Sequence, residues 1–267
     1  MKIMRILWGI TACALVIVIA YSGQQLWEIH QIGVQEAQMH SRLMEFRPEP
    51  GKQTPASGGS RPEPASEPAF ESASGASAAD GENQSILDLQ TKHSDAVGWL
   101  SIPNTKIDYP FAQGRDNDTY LHLDLDQNWA AAGTIFMDYR NSQDFTDFNT
   151  ILFGHHMNNG SMFGTLQHFS NQAFFEENSS GTVFLADKTY GIDFIAFAVI
   201  VPSDTVIYDP TITTETEKIA FLEHVKHIAR YYRDLEVTAS DRLVTLSTCN
   251  YEFEDARMVL IGKLTEN

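Results

Sequence analysis

The sequence predicts a mostly β domain of barrel type, interrupted by one long helix. Three observations predict it. Seven short runs of strand character, separated by Gly, Asn, Asp and Pro clusters, follow one another between residues 98 and 264. One stretch, 214–235, breaks that rhythm with apolar residues at helical spacing. Apolar residues make up 43% of the 267 positions, enough to fill a sizeable core.

The chain opens with MKIMRILWGITACALVIVIAYSG. Lys2 and Arg5 flank an uncharged run over 6–21. With Ile3 and Met4 it approaches the roughly 20 residues that span a bilayer. Basic residues on the N-terminal side direct that end to the cytoplasm. The expectation is a single-pass anchor over 1–23 in the cell membrane, with the rest of the chain extracytoplasmic. A cleaved signal peptide has a shorter apolar run and an Ala-x-Ala site, which is not evident here.

Residues 24–83 read as a stalk and spacer. Scattered apolar positions (Leu26, Ile29, Ile32, Leu43, Met44) allow a helix to continue as far as Phe46. From Arg47 the chain becomes rich in Pro, Gly, Ser, Ala and Glu. Such a segment buries too little apolar surface to offset its ordering entropy, so a disordered spacer is expected.

The folded domain is expected over 84–267. It starts with a short helix in which Ile86, Leu87 and Leu89 share a face. The runs GWLSIPNTKIDYPFAQ, AGTIFMDYR, TILFGHH, TVFLAD and YGIDFIAFAVIVP then read as strands and turns. In 214–235, Ile219, Leu222, Val225, Ile228 and Tyr232 recur at helical spacing and predict four or five turns. RLVTLSTC and RMVLIGKL supply the last two strands. The whole reads as a mostly antiparallel, barrel-like domain with an inserted helix.

The net charge of −17 excludes nucleic acid as a partner, because phosphate binding needs clustered Lys and Arg. The two cysteines, Cys13 and Cys249, do not suggest a disulfide framework, since one lies in the first apolar run. Cys249 is therefore either an inert buried thiol or a reactive one. It ends the run RLVTLSTC, and Arg257 begins the next. If the two strands pair as a hairpin, these residues face each other across its mouth. An arginine fork there can hold an oxyanion or a substrate carbonyl.

A thiol nucleophile also needs an acid–base partner. FGHHMNNGSMFG places His155 and His156 at the end of a strand-like run, and adjacent residues on extended backbone point to opposite sides. Both also fit ordinary surface histidines. His122, His168, His224 and His227 have no comparable setting. His224 and His227, three apart on the inserted helix, read as a solvated face before they read as a metal pair. Asp124, Asp126 and Asn128 fit the first ligand positions of a calcium loop. Trp129 and Ile135 occupy the positions where that loop needs its glycine and glutamate, so no metal is expected.

Taken together, TLSTC with an arginine eight residues after the cysteine, and GHH far upstream, resemble the sortases, membrane-anchored cysteine transpeptidases mainly of Gram-positive bacteria. GWLSIPNTKIDYPFAQGRDNDTYLHLD, GTIFMDYRN, NTILFGHHMNNGSMFGTL and TLSTCNYEFEDARMVLIGKL resemble class B segments in that order. The long helix before the cysteine strand is similar to the class B insertion. The resemblance covers about 85–263.

It implies an eight-stranded β-barrel and no cofactor. Carried over by position, Cys249 matches the nucleophile, His155 the general acid–base and Arg257 the oxyanion or substrate-stabilising arginine. His156 is given no catalytic part. Ser247, two before the cysteine and on the same strand face, is a candidate for substrate binding. Asn250 stands where some relatives carry an acid, which weakens any acidic fourth member. The implied partners are secreted proteins with a C-terminal sorting signal, for which class B relatives often prefer Asn-Pro-x-Thr-x. The second partner is an amine of cell-wall peptidoglycan or its lipid-linked precursor, and the anchor would engage the membrane. The same residues equally serve a pilin-polymerising sortase or a thiol peptidase that uses water. A non-catalytic barrel with a buried cysteine is the reading outside enzymes.

Overall fold

A computed structural model describes residues 2–49, 83–249 and 256–266. The spacer expected within 50–82, and the connection 250–255 with Asn250, lie outside the described residues.

Eight strands close into a barrel: β1 (Ala96–Ser101), β2 (Asp108–Ala112), β3 (Ile135–Met137), β4 (Asn149–Phe153), β5 (Ser180–Phe184), β6 (Thr189–Ile200), β8 (Arg242–Cys249) and β9 (Arg257–Glu266). Their order is β5-β1-β2-β3-β4-β8-β9-β6, and β6 pairs back onto β5. A ninth, two-residue strand, β7 (Tyr231–Tyr232), hangs on β6 outside the ring. The barrel is mixed, because β2–β3 and β4–β8 run parallel and the remaining pairs antiparallel. Parallel neighbours need long crossovers. The crossover from β4 to β8 contains β5, β6 and the inserted helix.

Both faces of the sheet bury apolar side chains, one inside the barrel and one beneath a helix. Leu100, Phe111, Ile135, Leu152, Phe194, Leu246 and Leu260 belong to one continuous buried cluster. A second cluster lies under α4 (Glu215–Ile228), where Phe221 and Val225 pack against Ile195, Val259 and Ile261. A capping box starts α4: Thr214 Oγ1 accepts from the Glu217 amide, and the Glu217 carboxylate accepts from the Thr214 amide. The helix is shorter than its periodicity suggested. At Ala229 the backbone becomes extended, Arg230 donates to the Phe197 carbonyl (2.8 Å), and Tyr232 joins β7 instead. Ile219 is 46% exposed, and Phe221 is buried in its stead. In the short helix α2 (Gln84–Lys92), Ile86 and Leu89 are buried and Leu87 lies at the margin.

At the N-terminus, α1 (Lys2–Leu43) is one continuous helix. Among the described residues, no helix is long and apolar enough to cross a membrane. This overturns the single-pass anchor over 1–23, and with it the membrane contact and the localisation drawn from that anchor. A span needs about 20 consecutive apolar residues. The uncharged run of α1 counts 16 residues, 6–21, before Ser22, Gly23 and two glutamines. The side chains of 1–7 and 9–13 lie outside the described residues. The far end of α1 packs on the barrel. His40 Nε2 lies 3.0 Å from the Asp108 carbonyl, and Leu43 is buried. Just beyond, Arg47 pairs with the Asp108 carboxylate at 2.5 Å, and that carboxylate also accepts from the Trp99 indole (2.8 Å).

Candidate active site

The parallel pairing of β4 with β8 builds one rim of the barrel. Its register aligns Phe153 with Ser247, and the Gly154 amide donates to the Ser247 carbonyl at 3.2 Å. Both strands therefore end on the same rim, with His155 just past one end and Cys249 closing the other. Antiparallel β9 begins there, and Cys249 and Arg257 form the last rung of the β8–β9 ladder. The hairpin expected from the eight-residue spacing is thus present in the backbone. The side chain of Cys249 lies outside the described residues.

A cavity of about 380 Å³ opens at this rim, and His155, Ser247, Thr248 and Arg257 line it. His155 Nε2 lies 2.7 Å from the Leu121 carbonyl. A carbonyl only accepts, so Nε2 carries a proton and donates it there. The His122 ring lies 5.8 Å from that of His155, a neighbour that local sequence did not single out. His156 turns away to Gln167 (Nε2···Oε1 2.9 Å) and is not part of the lining. Ser247, 2% exposed, shares a 2.9 Å hydrogen bond with the Tyr208 hydroxyl. Tyr208 stacks on Phe153 at 6.0 Å, giving the cavity an aromatic wall. Thr248 Oγ1 is buried without a hydrogen-bond partner among the described residues.

Another part of the lining is ionic. Asp138, fully buried just past β3, accepts from Arg140 Nε (2.9 Å) and a terminal nitrogen (2.7 Å) in a bidentate pair, and from Asn117 at 3.0 Å. Arg140 also donates to the Tyr208 carbonyl at 3.0 Å, tying this wall to the aromatic one. Burial pushes the Asp138 carboxyl up, but the Arg140 and Asn117 hydrogen bonds outweigh it and hold the group below the usual aspartate range. A depressed folded value stabilises the fold above the ordinary carboxyl pKa of about 3.9, and that stability is lost as pH falls below it. Asp138→Asn is therefore expected to cost about 2–3 kcal/mol at pH 7, the scale of a lost charged hydrogen-bond pair. Denaturant melts at pH 7 and at pH 3 check it, because the gap to the parent protein should narrow in acid. The stretch FMDYR contains this pair, yet only its Asp-x-Arg spacing just past a strand end hints at it.

Two of the groups that resemble metal ligands in sequence have local partners. Asp124 Oδ1 accepts from the Asn128 amide (2.8 Å), and His224 pairs with Asp204 (2.8 Å).

A sequence model of the sortase domain matches residues 100–265. Sortase B of Listeria monocytogenes is 40% identical over 182 residues, covering 67% of this chain and 73% of that protein. Sortase B of Staphylococcus aureus is 33% identical over 182 residues, covering 66% and 72%. Among solved structures, sortase B from Bacillus anthracis in complex with AAEK1 superposes with a TM-score of 0.72 at 25% identity, covering 89% of this chain and all of that one. Domain match, relatives and barrel agree, and the chain belongs to the sortases, the cysteine transpeptidases, on their class B branch.

Proposed function

We propose that residues 84–267 form the catalytic unit and that Cys249, His155 and Arg257 carry the reaction. The Cys249 thiolate attacks the carbonyl carbon of a threonine in a C-terminal sorting signal of a secreted protein. Arg257 holds the resulting oxyanion. As the tetrahedral adduct collapses, the C–N bond breaks and His155, as imidazolium, gives its proton to the leaving amine. A thioacyl-enzyme is left. His155 then takes a proton from an incoming peptidoglycan amine, whose nitrogen attacks the thioester, and the thiolate departs. Ser247, with Tyr208 behind it, forms part of the bed for the peptide. The observation that carries this reading is the shared rim: the last β8–β9 rung pairs Cys249 with Arg257, and parallel β4 ends on the same rim at Phe153, two residues before His155.

The test is mass spectrometry of the full chain with a pooled Asn-Pro-x-Thr-x peptide library, with and without triglycine as amine. The expected product is an adduct on Cys249 ending in threonine, discharged onto triglycine. Absence of any adduct overturns the reading. Adduct formation with only hydrolysed product in both arms makes the enzyme a thiol peptidase.

Arg257 gives a sharper prediction. Lysine keeps its charge and loses the planar fork. Arg257→Lys is expected to stay folded and lose on the order of 10²-fold in turnover, the scale of one lost oxyanion donor. Near-parental turnover, measured beside a matched thermal melt, would remove Arg257 from the chemistry.

A further inference from the structure

The segment carrying His155 is a closed loop. The Phe163 amide donates to the His155 carbonyl (3.0 Å), and His156 bridges Met162. Gly154 lies flat against the Phe163 ring, where a Cβ would come within 2.9 Å of it. Gly160 turns the tip at φ 82°. Asn159, beside it, is held from three sides. Its Oδ1 accepts from the Ser161 amide and hydroxyl (3.0 and 2.6 Å), and its backbone carbonyl accepts from Lys106 Nζ (2.7 Å). Its Nδ2 donates to Oε2 of Glu36 at 2.8 Å.

Glu36 belongs to α1 and is only 7% exposed. A carboxylate so placed is costly unless its hydrogen bonds are made. The charge of Glu36 also acts on Tyr109 of β2, whose hydroxyl is pushed up to about 12, first by burial and then by that charge. The carboxylate thus grips the loop at its tip, through Asn159.

We infer that Glu36 is a positioning residue for the transpeptidation. Through Asn159 it fixes the 155–163 loop, and with it the direction of the His155 imidazole. This rests on His155 being the acid–base group. Small misplacements of such a group cost rate more than binding. Glu36→Ala in the full chain is expected to lower kcat about 10-fold and leave KM within about 2-fold, on a quenched Asn-Pro-x-Thr-x peptide. Asn159→Ala should do the same, and the double variant should lose little more, because both cut one linkage. Glu36→Gln keeps an oxygen for Asn159 and should recover most of the rate.

Thermal melts are run on every variant, with His155→Ala as the reference. Parental kcat in Glu36→Ala, beside an inactive His155→Ala, overturns the inference and leaves the active-site reading intact. Additive losses, a change confined to KM, or a lowered melt without rescue by glutamine also overturn it. An active His155→Ala overturns the active-site reading itself.

Discussion

Cys249→Ala is expected to abolish peptide cleavage, by on the order of 10⁴-fold or more, the scale seen when a covalent nucleophile is removed. The reason is chemical: no other group at the rim offers a thiolate, and alanine has no atom to form the acyl bond. The backbone of the last β8–β9 rung does not need the sulfur, so the barrel should survive the change. Intact-mass analysis should show no acyl adduct, with a melt close to the parent's. Cleavage above a trace in a folded alanine variant would end the thiol mechanism.

The histidine pair gives the second large effect. His155 lines the cavity, and its Nε2 is committed to the Leu121 carbonyl, which fixes the ring. His156, next in the chain, is bonded to Gln167 on the other side. His155→Ala should therefore lose at least the roughly 10²-fold typical of general acid–base catalysis, and His156→Ala much less. Steady-state rates on the same peptide decide it. Equal losses, or the reverse order, would move the acid–base role away from His155.

What the sequence made legible here is what repeats locally. The alternation in RLVTLSTC and RMVLIGKL, with the arginine eight residues after the cysteine, is enough to anticipate the Cys249–Arg257 rung. The strand-ending GHH anticipates a histidine at a rim. Nothing local says that β4 and β8 run side by side in parallel, because their pairing spans some 90 residues and depends on β9 and β6 closing the ring. Tyr208 and the Asp138–Arg140 pair entered the cavity wall for the same reason. The inserted helix ends earlier than its periodicity predicts because Tyr232 fits a helical stripe and an edge strand equally well. Open backbone on β6 decided the matter. Glu36 was hidden in a segment read as polar stalk, and its partner Asn159 lies 123 residues away.

The closing rung has one more consequence. The chain leaves the barrel at Cys249 and re-enters it at Arg257, and these two residues are already locked to each other by the ladder. Seven residues, 250–256, separate them in sequence. The spacing of the two backbones is therefore set by the ladder and not by the number of residues between them. Insertions elsewhere around the ring have to be absorbed by a strand register or a crossover.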